Sequence, residues 1–264
     1  MANDSSALVS SVMKAMTVLD CFTPEHSSLS LSQISSQVQQ PKSTVLNLIR
    51  SLEAGGYLIR NPSTQTYSLG YKILEHAFCI RSSLSVVQSS IPFLEDIQVQ
   101  TGMIVYLVTH NNGKVLYLEG LYPSRRIPLY STTGRTHPMH CTSCGKAMLA
   151  YMDESRVRAI LDKWGMEART PNTITDPDLL FQDLAEIRAS GYAVDNEEES
   201  SGVRCVAAAI RNRSGFPTAA ISISGAATEL TQPLIEEYAK SLIKTCNLLS
   251  ERAGAFPGSR EEYL

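Results

Sequence analysis

One amphipathic stretch, residues 41–60 (PKSTVLNLIRSLEAGGYLIR), constrains what this chain can fold into more than any other part of it. Its apolar side chains recur at the i, i+3, i+4, i+7 spacing of a helix that faces a core, namely Val45, Leu48, Ile49 and Leu52. The opposite face has Ser43, Asn47 and Arg50 in place of the Glu/Lys alternation of a merely solvated helix. Two glycines end the helix, and a strand-like segment follows. Such a polar helix followed by a hairpin is typical of proteins that bind a DNA groove.

The composition of the chain is that of an ordinary globular protein, with 43% hydrophobic and 19% charged residues. Its 264 residues allow two domains or one large one. No run approaches the roughly 18 apolar residues that span a bilayer, and the first residues lack the basic segment and apolar core of a secretory signal. We therefore expect a cytoplasmic protein without membrane contact, whose six cysteines are thiols.

The first seventy residues have no net charge, which limits how strongly one copy of them could bind DNA. The basic residues Lys14, Lys42, Arg50 and Arg60 are matched by Asp4, Asp20, Glu25 and Glu53. Affinity from counterion release grows with the number of cationic contacts to phosphate, so one copy supplies little. We therefore expect DNA binding to need more than one copy of the domain on the site.

The order of elements around the polar helix predicts a winged helix-turn-helix over residues 11–70, after a disordered tail at residues 1–10. Helical periodicity from Ser11 onwards predicts a first helix, and two further helices follow it. Two strand-like segments, residues 57–60 and 67–69, then flank a turn-rich loop that would form the wing. A small helical bundle without a ligand is the alternative.

Local signals set the ends of these helices. The first helix is predicted to end near Phe22, where a Thr-Pro pair breaks the pattern. Ser30 and Gln33 match a capping box, which predicts the start of the second helix. Pro41 suits the first position of the third helix, because its missing N–H would have no partner there.

Residues 71–83 predict a linker helix between the small domain and the rest of the chain. An apolar stripe follows this helix, formed by Tyr71, Leu74, Ala77 and Phe78. Such a stripe needs a cover. It would pack against a second subunit or, alternatively, against its own domain.

Residues 84–254 predict a second domain of mixed strands and helices, followed by a C-terminal tail at residues 255–264. The predicted strands span residues 103–109, 114–121, 126–131, 192–195, 203–211 and 218–224. The predicted helices span residues 84–101, 141–152, 154–163, 178–190 and 232–252. An Asn-Gly turn joins the first two strands. This pattern favours an α+β, sensor-like domain with an antiparallel sheet and helices on one side.

Three segments, in this order, resemble the IclR family of bacterial transcriptional regulators. They are the opening stretch, THPMHCTSCGKAMLAYM at residues 136–152 and GYAVDNEEESSGVRCVAAAIRNRSGFPTAAISISGA at residues 191–226. The resemblance implies an N-terminal winged helix-turn-helix, a linker helix and a C-terminal effector-binding domain of GAF- or PAS-like shape. Members of the family are commonly dimers or dimers of dimers that bind palindromic operators and small organic acids.

The function that this resemblance implies is that of a DNA-binding regulator, a repressor of a catabolic operon controlled by a small organic-acid effector. It would need no cofactor. An enzyme is the least favoured class. A nucleophilic Cys205 beside His140 and Asp195 can be imagined, but the sequence has no nucleophile-elbow, phosphate-loop or HExxH motif.

The candidate DNA contacts lie on the third helix and the wing. They are Lys42, Ser43, Thr44, Asn47 and Arg50 on the helix and Arg60 on the wing. Ser43 and Thr44 are also common residues at a helix start, so Asn47 and Arg50 are the favoured base contacts.

Two departures from the family pattern bear on these contacts. The family usually has Gly-Leu where this chain has Gln39-Gln40, and arginine where it has Asn47. An asparagine there suits a bidentate contact to adenine. The operator sequence therefore cannot be carried over from relatives.

The resemblance also places an effector pocket between the helix that starts in residues 136–152 and the strands after Gly191. It points to Leu129, Ser143, Cys144, Asp195, Val203, Cys205, Ser222 and Ser224. A helix start offers free amides to a carboxylate, and the serine hydroxyls with Asp195 could orient hydroxyl or keto groups. The alternative is that the cysteines are small buried residues and the serines are structural. Residues 197–199, three glutamates, are expected to form a solvated loop.

A competing hypothesis is a metal- or redox-sensing regulator that uses His137, His140, Cys141 and Cys144. A cysteine at a helix start should have a lowered thiol pKa, which would favour such chemistry. Against it, four ligands within eight residues leave little room for a tetrahedron, and no second C-x-x-C pair completes the usual pattern.

Overall fold

A computed structural model describes residues 8–124 and 132–253 of the chain. Its contacts divide the chain into two structural units, Met1–Ser83 and Leu84–Leu264. The strand predicted at residues 126–131, the C-terminal tail and most of the N-terminal tail lie outside the described residues. Within the described ranges, no helix is both long enough and apolar enough to cross a membrane.

The first unit has the element order of a winged helix-turn-helix. Its helices are α1 (Ser10–Asp20), α2 (Leu31–Gln37) and α3 (Lys42–Ala54), and its strands are β1 (Leu29–Ser30), β2 (Leu58–Asn61) and β3 (Thr66–Leu69). β3 lies in the middle of the sheet and is antiparallel to both neighbours. The predicted fold is confirmed, with two differences. α1 ends before Phe22, and β1, which is only two residues long, is too short to leave a periodic signal.

The capping box at the start of α2 is confirmed. The Ser30 hydroxyl accepts a hydrogen bond from the Gln33 N–H at 3.3 Å, and the Gln33 side-chain oxygen accepts one from the Ser30 N–H at 2.8 Å. Pro41 lies one position earlier than predicted, at the N-cap of α3, because its backbone is extended, with ψ of 141°.

The turn between α2 and α3 is strained at Gln39, where the family resemblance leads us to expect glycine. Gln39 has a φ of +52°, a left-handed conformation that costs a residue with a Cβ about 1 kcal/mol. The Ser35 hydroxyl donates to the Gln40 carbonyl oxygen at 2.6 Å and holds the turn in place.

The core of this unit fixes which face of α3 points outwards. Val18, Ile34, Val45, Ile49 and Leu58 are buried together, so all three helices and β2 contribute to it. Because two of these residues lie on the apolar face of α3, its polar face is left on the surface.

The predicted linker helix is α4 (Lys72–Ser83), and none of its residues is buried. Its large apolar side chains point to solvent, with Tyr71, which precedes it, 75% exposed and Phe78 71% exposed. His76 of α4 contacts the rest of the unit, since its Nε2 lies 2.8 Å from the Tyr57 hydroxyl and the two rings stack.

The second unit is a six-stranded antiparallel sheet with five helices among the described residues. Its strands are β4 (Ile104–Asn111), β5 (Lys114–Leu121), β6 (Thr136–Pro138), β7 (Ala193–Asn196), β8 (Val203–Arg211) and β9 (Pro217–Ala226). Its helices are α5 (Ser85–Thr101), α6 (Ser143–Leu149), α7 (Glu154–Trp164), α8 (Pro177–Ser190) and α9 (Gln232–Ala253). The strand order is β6-β5-β4-β9-β8-β7. The Asn112-Gly113 turn joins β4 and β5 with positive φ at both residues, as predicted.

Helices cover both faces of this sheet, which corrects the expectation of helices on one side. Val206, Ile221 and Ile223 pack with α5 and α9, whereas Ala207 and Ala220 pack with α6, α7 and α8 on the other face. β9 is buried almost throughout and β8 is buried over residues 206–210, so over this length neither of their faces is left to solvent.

Helix α6 is shorter than the predicted helix over residues 141–152. Thr142 is its N-cap, because its hydroxyl accepts a hydrogen bond from the Gly145 N–H at 3.2 Å and donates one to the Pro138 carbonyl oxygen at 2.8 Å. All seven residues of α6 are buried. A Cβ on Gly145 would lie 2.2 Å from the Met139 carbonyl oxygen, so only glycine allows this close approach.

Candidate functional site

The first candidate site is the outward face of α3. Lys42, Ser43, Asn47 and Arg50 are exposed there, and Thr44 is half-buried beside them. The Asn47 carbonyl oxygen accepts a hydrogen bond from the Ser51 hydroxyl at 3.1 Å. The Asn47 side chain is exposed, and the opposite face of the helix is buried in the core. This face can offer amide, hydroxyl and guanidinium groups to a nucleic-acid groove.

The wing carries the predicted contact Arg60 together with polar groups that were not predicted. Arg60 lies on β2, and its guanidinium donates a hydrogen bond to the Gln65 side chain. The Asn61 side-chain oxygen accepts hydrogen bonds from the Ser63 and Thr64 N–H groups at 3.0 and 3.4 Å. This Asx turn shapes the tip of the wing. The Asn61-Pro62 pair in the sequence is the local pattern that indicates this turn.

The second candidate site is a group of polar side chains on the α6 face of the six-stranded sheet. Asp195, Cys205 and Ser224 lie opposite one another on β7, β8 and β9. Ser222 precedes Ser224 by two residues on β9, so both side chains lie on the same face of the sheet. The structure brings together the predicted effector-site residues that it describes: Ser143, Cys144, Asp195, Val203, Cys205, Ser222 and Ser224. Leu129 lies outside the described residues.

Most of the group is buried, with Val203 and Cys205 half-buried, and its members are hydrogen-bonded to one another. Asp195, Ser143, Ser222 and Ser224 are all less than 9% exposed. The Cys205 thiol donates a hydrogen bond to the Ser224 hydroxyl at 3.2 Å. Because α6 packs on both β8 and β9, its residues cover these polar groups from above. We refer to the seven described residues of the predicted effector site as the polar cluster.

Three tyrosines flank the polar cluster, and sequence reasoning did not include them. Tyr106 on β4 pairs with Ser222 on β9. Its ring meets Tyr117 edge-on at 5.0 Å between centroids and Tyr122 at 6.0 Å. The Tyr122 hydroxyl lies 2.6 Å from the Thr132 hydroxyl. The three rings therefore form an aromatic surface beside the polar cluster. Burial raises the pKa of Tyr106 and Tyr117.

The expectation of a lowered thiol pKa at the start of α6 is wrong. Burial raises the pKa of both Cys141 and Cys144 to about 12, and the nearby Asp195 carboxylate acts in the same direction. The helix start lies inside the core, where the cost of desolvating a thiolate exceeds the benefit of the helix dipole. Both cysteines are therefore unreactive thiols at neutral pH.

The two histidines of the metal hypothesis have other partners. His137 Nδ1 lies 3.1 Å from Glu199 Oε1, and His140 Nε2 donates to the Glu167 carbonyl oxygen at 3.1 Å. Burial lowers the pKa of His140, which therefore stays neutral. Across residues 8–124 and 132–253, no three His, Cys, Asp or Glu side chains are grouped so that they could hold a metal ion.

The loop at residues 197–199 is not solvated as predicted. Glu198 is buried and pairs at 2.6 Å with the Nζ of Lys146, which is itself only 2% exposed and also pairs with Asp183 at 2.9 Å. Glu199 pairs with His137, and this hydrogen bond lowers the pKa of Glu199 to about 2. A run of glutamates is normally a solvated feature. Here a lysine buried in α6 requires anionic partners.

The carboxyl group of Asp195 is the most perturbed acid near the polar cluster. Burial raises its pKa from 3.8 to about 7, although Oδ1 accepts a hydrogen bond from the Glu198 N–H at 2.7 Å. The negative charge of Glu198 raises it further. At neutral pH the group can therefore act both as a hydrogen-bond donor and as an acceptor.

We expect Asp195→Asn to stabilise the protein increasingly as pH rises. Because the folded-state pKa is raised, Asp195 favours folding below its unfolded pKa, and this contribution is lost as pH rises through about 7. At 1.36 kcal/mol per pKa unit, the free energy of unfolding of the variant, relative to that of the wild type, should rise by roughly 2 to 3 kcal/mol between about pH 5 and pH 8. Urea unfolding at both pH values measures the difference. Asp162→Asn, which changes an exposed aspartate on α7, is the matched control. A difference that does not change with pH would contradict the assignment.

Comparisons with known proteins identify the family. The helix-turn-helix domain of IclR matches residues 11–62, and the C-terminal domain of the bacterial transcriptional regulator IclR matches residues 79–251. The transcriptional regulator XynR of Escherichia coli is 29% identical over 250 residues, which cover 95% of this chain and 99% of XynR. The transcriptional repressor IclR of the same organism is 28% identical over 245 residues, with 89% and 87% covered.

The fold agrees with these matches. The crystal structure of the Thermotoga maritima IclR superposes with a TM-score of 0.70, at 31% identity, and the match covers 92% of this chain and 98% of that chain. Both halves of the chain therefore match the same kind of regulator, in sequence and in fold. The chain belongs to the IclR family of transcriptional regulators, which bind operator DNA through the helix-turn-helix domain and are not enzymes.

Proposed function

We propose that a small organic acid, bound at the polar cluster, controls the binding of this regulator to its operator, and that the regulator represses a catabolic operon. The observation that carries this proposal is the convergence of Asp195, Cys205, Ser222 and Ser224 on one sheet face beneath α6. Buried polar groups cost free energy unless they are satisfied, and a few convergent polar groups with an aromatic side are characteristic of small-molecule sites.

The chemistry of the polar cluster suits a carboxylate. The Ser222 and Ser224 hydroxyls are neutral donors, and Asp195 in its protonated form can donate a hydrogen bond to an anion rather than repel it. The raised pKa of Asp195 keeps this form populated near neutral pH. No metal or cofactor is required for such recognition.

The tyrosines narrow the class of effector. Tyr106, Tyr117 and Tyr122 give the site an aromatic side next to its polar groups. An acid with a ring or another apolar body would bury that surface. A two-carbon acid would leave it uncovered, so we favour the larger class.

DNA recognition is proposed to need paired copies of the first unit. Its formal charges cancel over residues 1–70, so phosphate contacts from one copy are few. The exposed apolar side chains of α4, above all Leu74 and Phe78, support self-association as a dimer or a dimer of dimers. Effector binding would act as a population shift that changes how subunits pack through α4, and so the spacing of the α3 helices on the operator.

We expect Asn47→Ala to weaken operator binding by about tenfold or more, because it removes a side chain able to make a bidentate contact with adenine. The side chain is exposed, so thermal stability should stay unchanged. A gel-shift titration with operator DNA measures the affinity. Asn247→Ala, which changes an exposed asparagine on α9, should bind as the wild type does. An unchanged affinity for Asn47→Ala would exclude Asn47 as a base contact.

We expect one class among sugar acids, keto acids and aromatic acids to raise the thermal unfolding temperature and to change operator affinity. At ~100 times its dissociation constant, a ligand stabilises the folded state by about 2.7 kcal/mol. This stabilisation should be lost in Ser222→Ala and Ser224→Ala. It should persist in Ser90→Ala, which changes a buried serine of α5. No stabilisation by any acid, or stabilisation that both cluster variants retain, would contradict the proposal.

We expect Phe78→Ser and Leu74→Ser to weaken self-association by about tenfold or more, because each removes a large apolar side chain from the proposed interface. No residue of α4 is buried, so each subunit should stay folded. Sedimentation velocity over a concentration series measures the effect. Val99→Ser, at an apolar side chain that is 77% exposed on α5, is the matched control. If both α4 variants associate like the wild type, α4 is not the interface.

A further inference from the structure

A cavity of about 250 Å³ lies between the β5–β6 edge of the sheet and the C-terminal end of α7. Ligand pockets commonly span ~300–1,000 Å³, so this cavity suits a small metabolite. Residues of β6, α7 and the segment after α7 line it. None of its lining residues belongs to the polar cluster. It is therefore a separate concave site on the same unit.

The inner wall of the cavity is apolar. Met139, Ile160 and Leu161 contribute to this wall and are all buried. The indole of Trp164 also lines the cavity and is held in place, because its Nε1–H donates to the Asn112 carbonyl oxygen at 2.7 Å. An apolar ligand body would find fixed contacts on these residues.

Two cationic side chains also line the cavity. The Lys114 ammonium lies 3.9 Å from the centroid of the Trp164 ring. Arg169 pairs through Nε with Glu199 at 3.4 Å, and its terminal nitrogens carry further N–H donors. His140 is neutral, and Glu167 is the acidic residue of the lining. The charge of the lining therefore favours an anion.

The wall of this cavity is continuous with the start of α6. His137 lines the cavity and pairs with Glu199, the backbone N–H of which lies 3.4 Å from Asp195 Oδ1. β6 is a three-residue edge strand held only by β5 among the described strands, and it leads within a few residues to α6. Ligand contacts in the cavity would therefore act on the segment that borders the polar cluster.

We propose that this cavity is a second small-molecule site, which binds a small monocarboxylate with an apolar body. The carboxylate meets Lys114 and Arg169, and the apolar body packs on the wall formed by Met139, Ile160 and Leu161. Arg169 can hold Glu199 and a ligand carboxylate at once, because its guanidinium has five N–H donors. A ligand here acts on the regulator from a site separate from the polar cluster.

Trp164 gives a direct test, because it is the only tryptophan in the chain. Its fluorescence is followed while the full-length protein is titrated with benzoate, phenylacetate or 3-methylbutanoate. At least one of these acids should give a saturable change. The uncharged amide of the same acid should bind about tenfold more weakly or worse, because it lacks the charge that the lysine and arginine recognise.

The variants locate the binding. Lys114→Gln with Arg169→Gln should reduce the affinity for the acid by about tenfold or more, since both charged contacts are lost. Lys163→Gln makes the same charge change beside the same indole but outside the cavity lining, and should bind as the wild type does. Ser224→Ala, which alters the polar cluster, should also leave this affinity unchanged.

Three results would overturn the proposal. They are the absence of a saturable change with any of the three acids, an unchanged affinity in the Lys114/Arg169 double variant, and loss of the change in Ser224→Ala. The last would show that the fluorescence reports on the polar cluster. Loss of effector binding at the polar cluster, by contrast, leaves this site untouched, so the two proposals fail separately.

Discussion

The close packing of α6 on the six-stranded sheet is the contact on which the second unit depends. Gly145 passes the Met139 carbonyl at a distance that excludes any Cβ, and the alanines of β8 and β9 leave room for this approach. The helix is thereby buried along its whole length, and Lys146 is buried with it. A buried ammonium must be paired, so Glu198 and Asp183 converge on it.

The pairing of Lys146 has consequences for the candidate sites. The Lys146–Glu198 pair holds the loop at residues 197–199 against α6. There the Glu198 and Glu199 N–H groups donate to Asp195, and the Glu199 carboxylate pairs with His137. The loop at residues 197–199 thus contacts both sites, because its N–H groups bond to Asp195 of the polar cluster and Glu199 pairs with His137 and Arg169 of the cavity lining.

The sequence predicted much of the fold because its signals were local. The periodicity of α3, the capping box at Ser30 and the positive φ of the Asn112-Gly113 turn each depend on a few neighbouring residues. The same local reasoning overestimated the length of α6 and did not predict β6. The residues of α6 are buried on all sides, so its ends are set by Thr142 and by tertiary contacts rather than by an apolar stripe.

The sequence by itself determined the family, the two-domain plan and which residues of α3 are displayed to solvent, because motifs and helical periodicity are properties of neighbouring residues. It also supplied the candidates for the polar cluster through the family resemblance. Only the tertiary structure decided their chemistry. Burial raised the pKa of Cys141 and Cys144 and kept Asp195 partly protonated. Of three adjacent glutamates predicted to be solvated, Glu198 became a partner of Lys146 and Glu199 a partner of His137. Desolvation and pairing depend on residues that lie far apart in the chain, and no local pattern contains them.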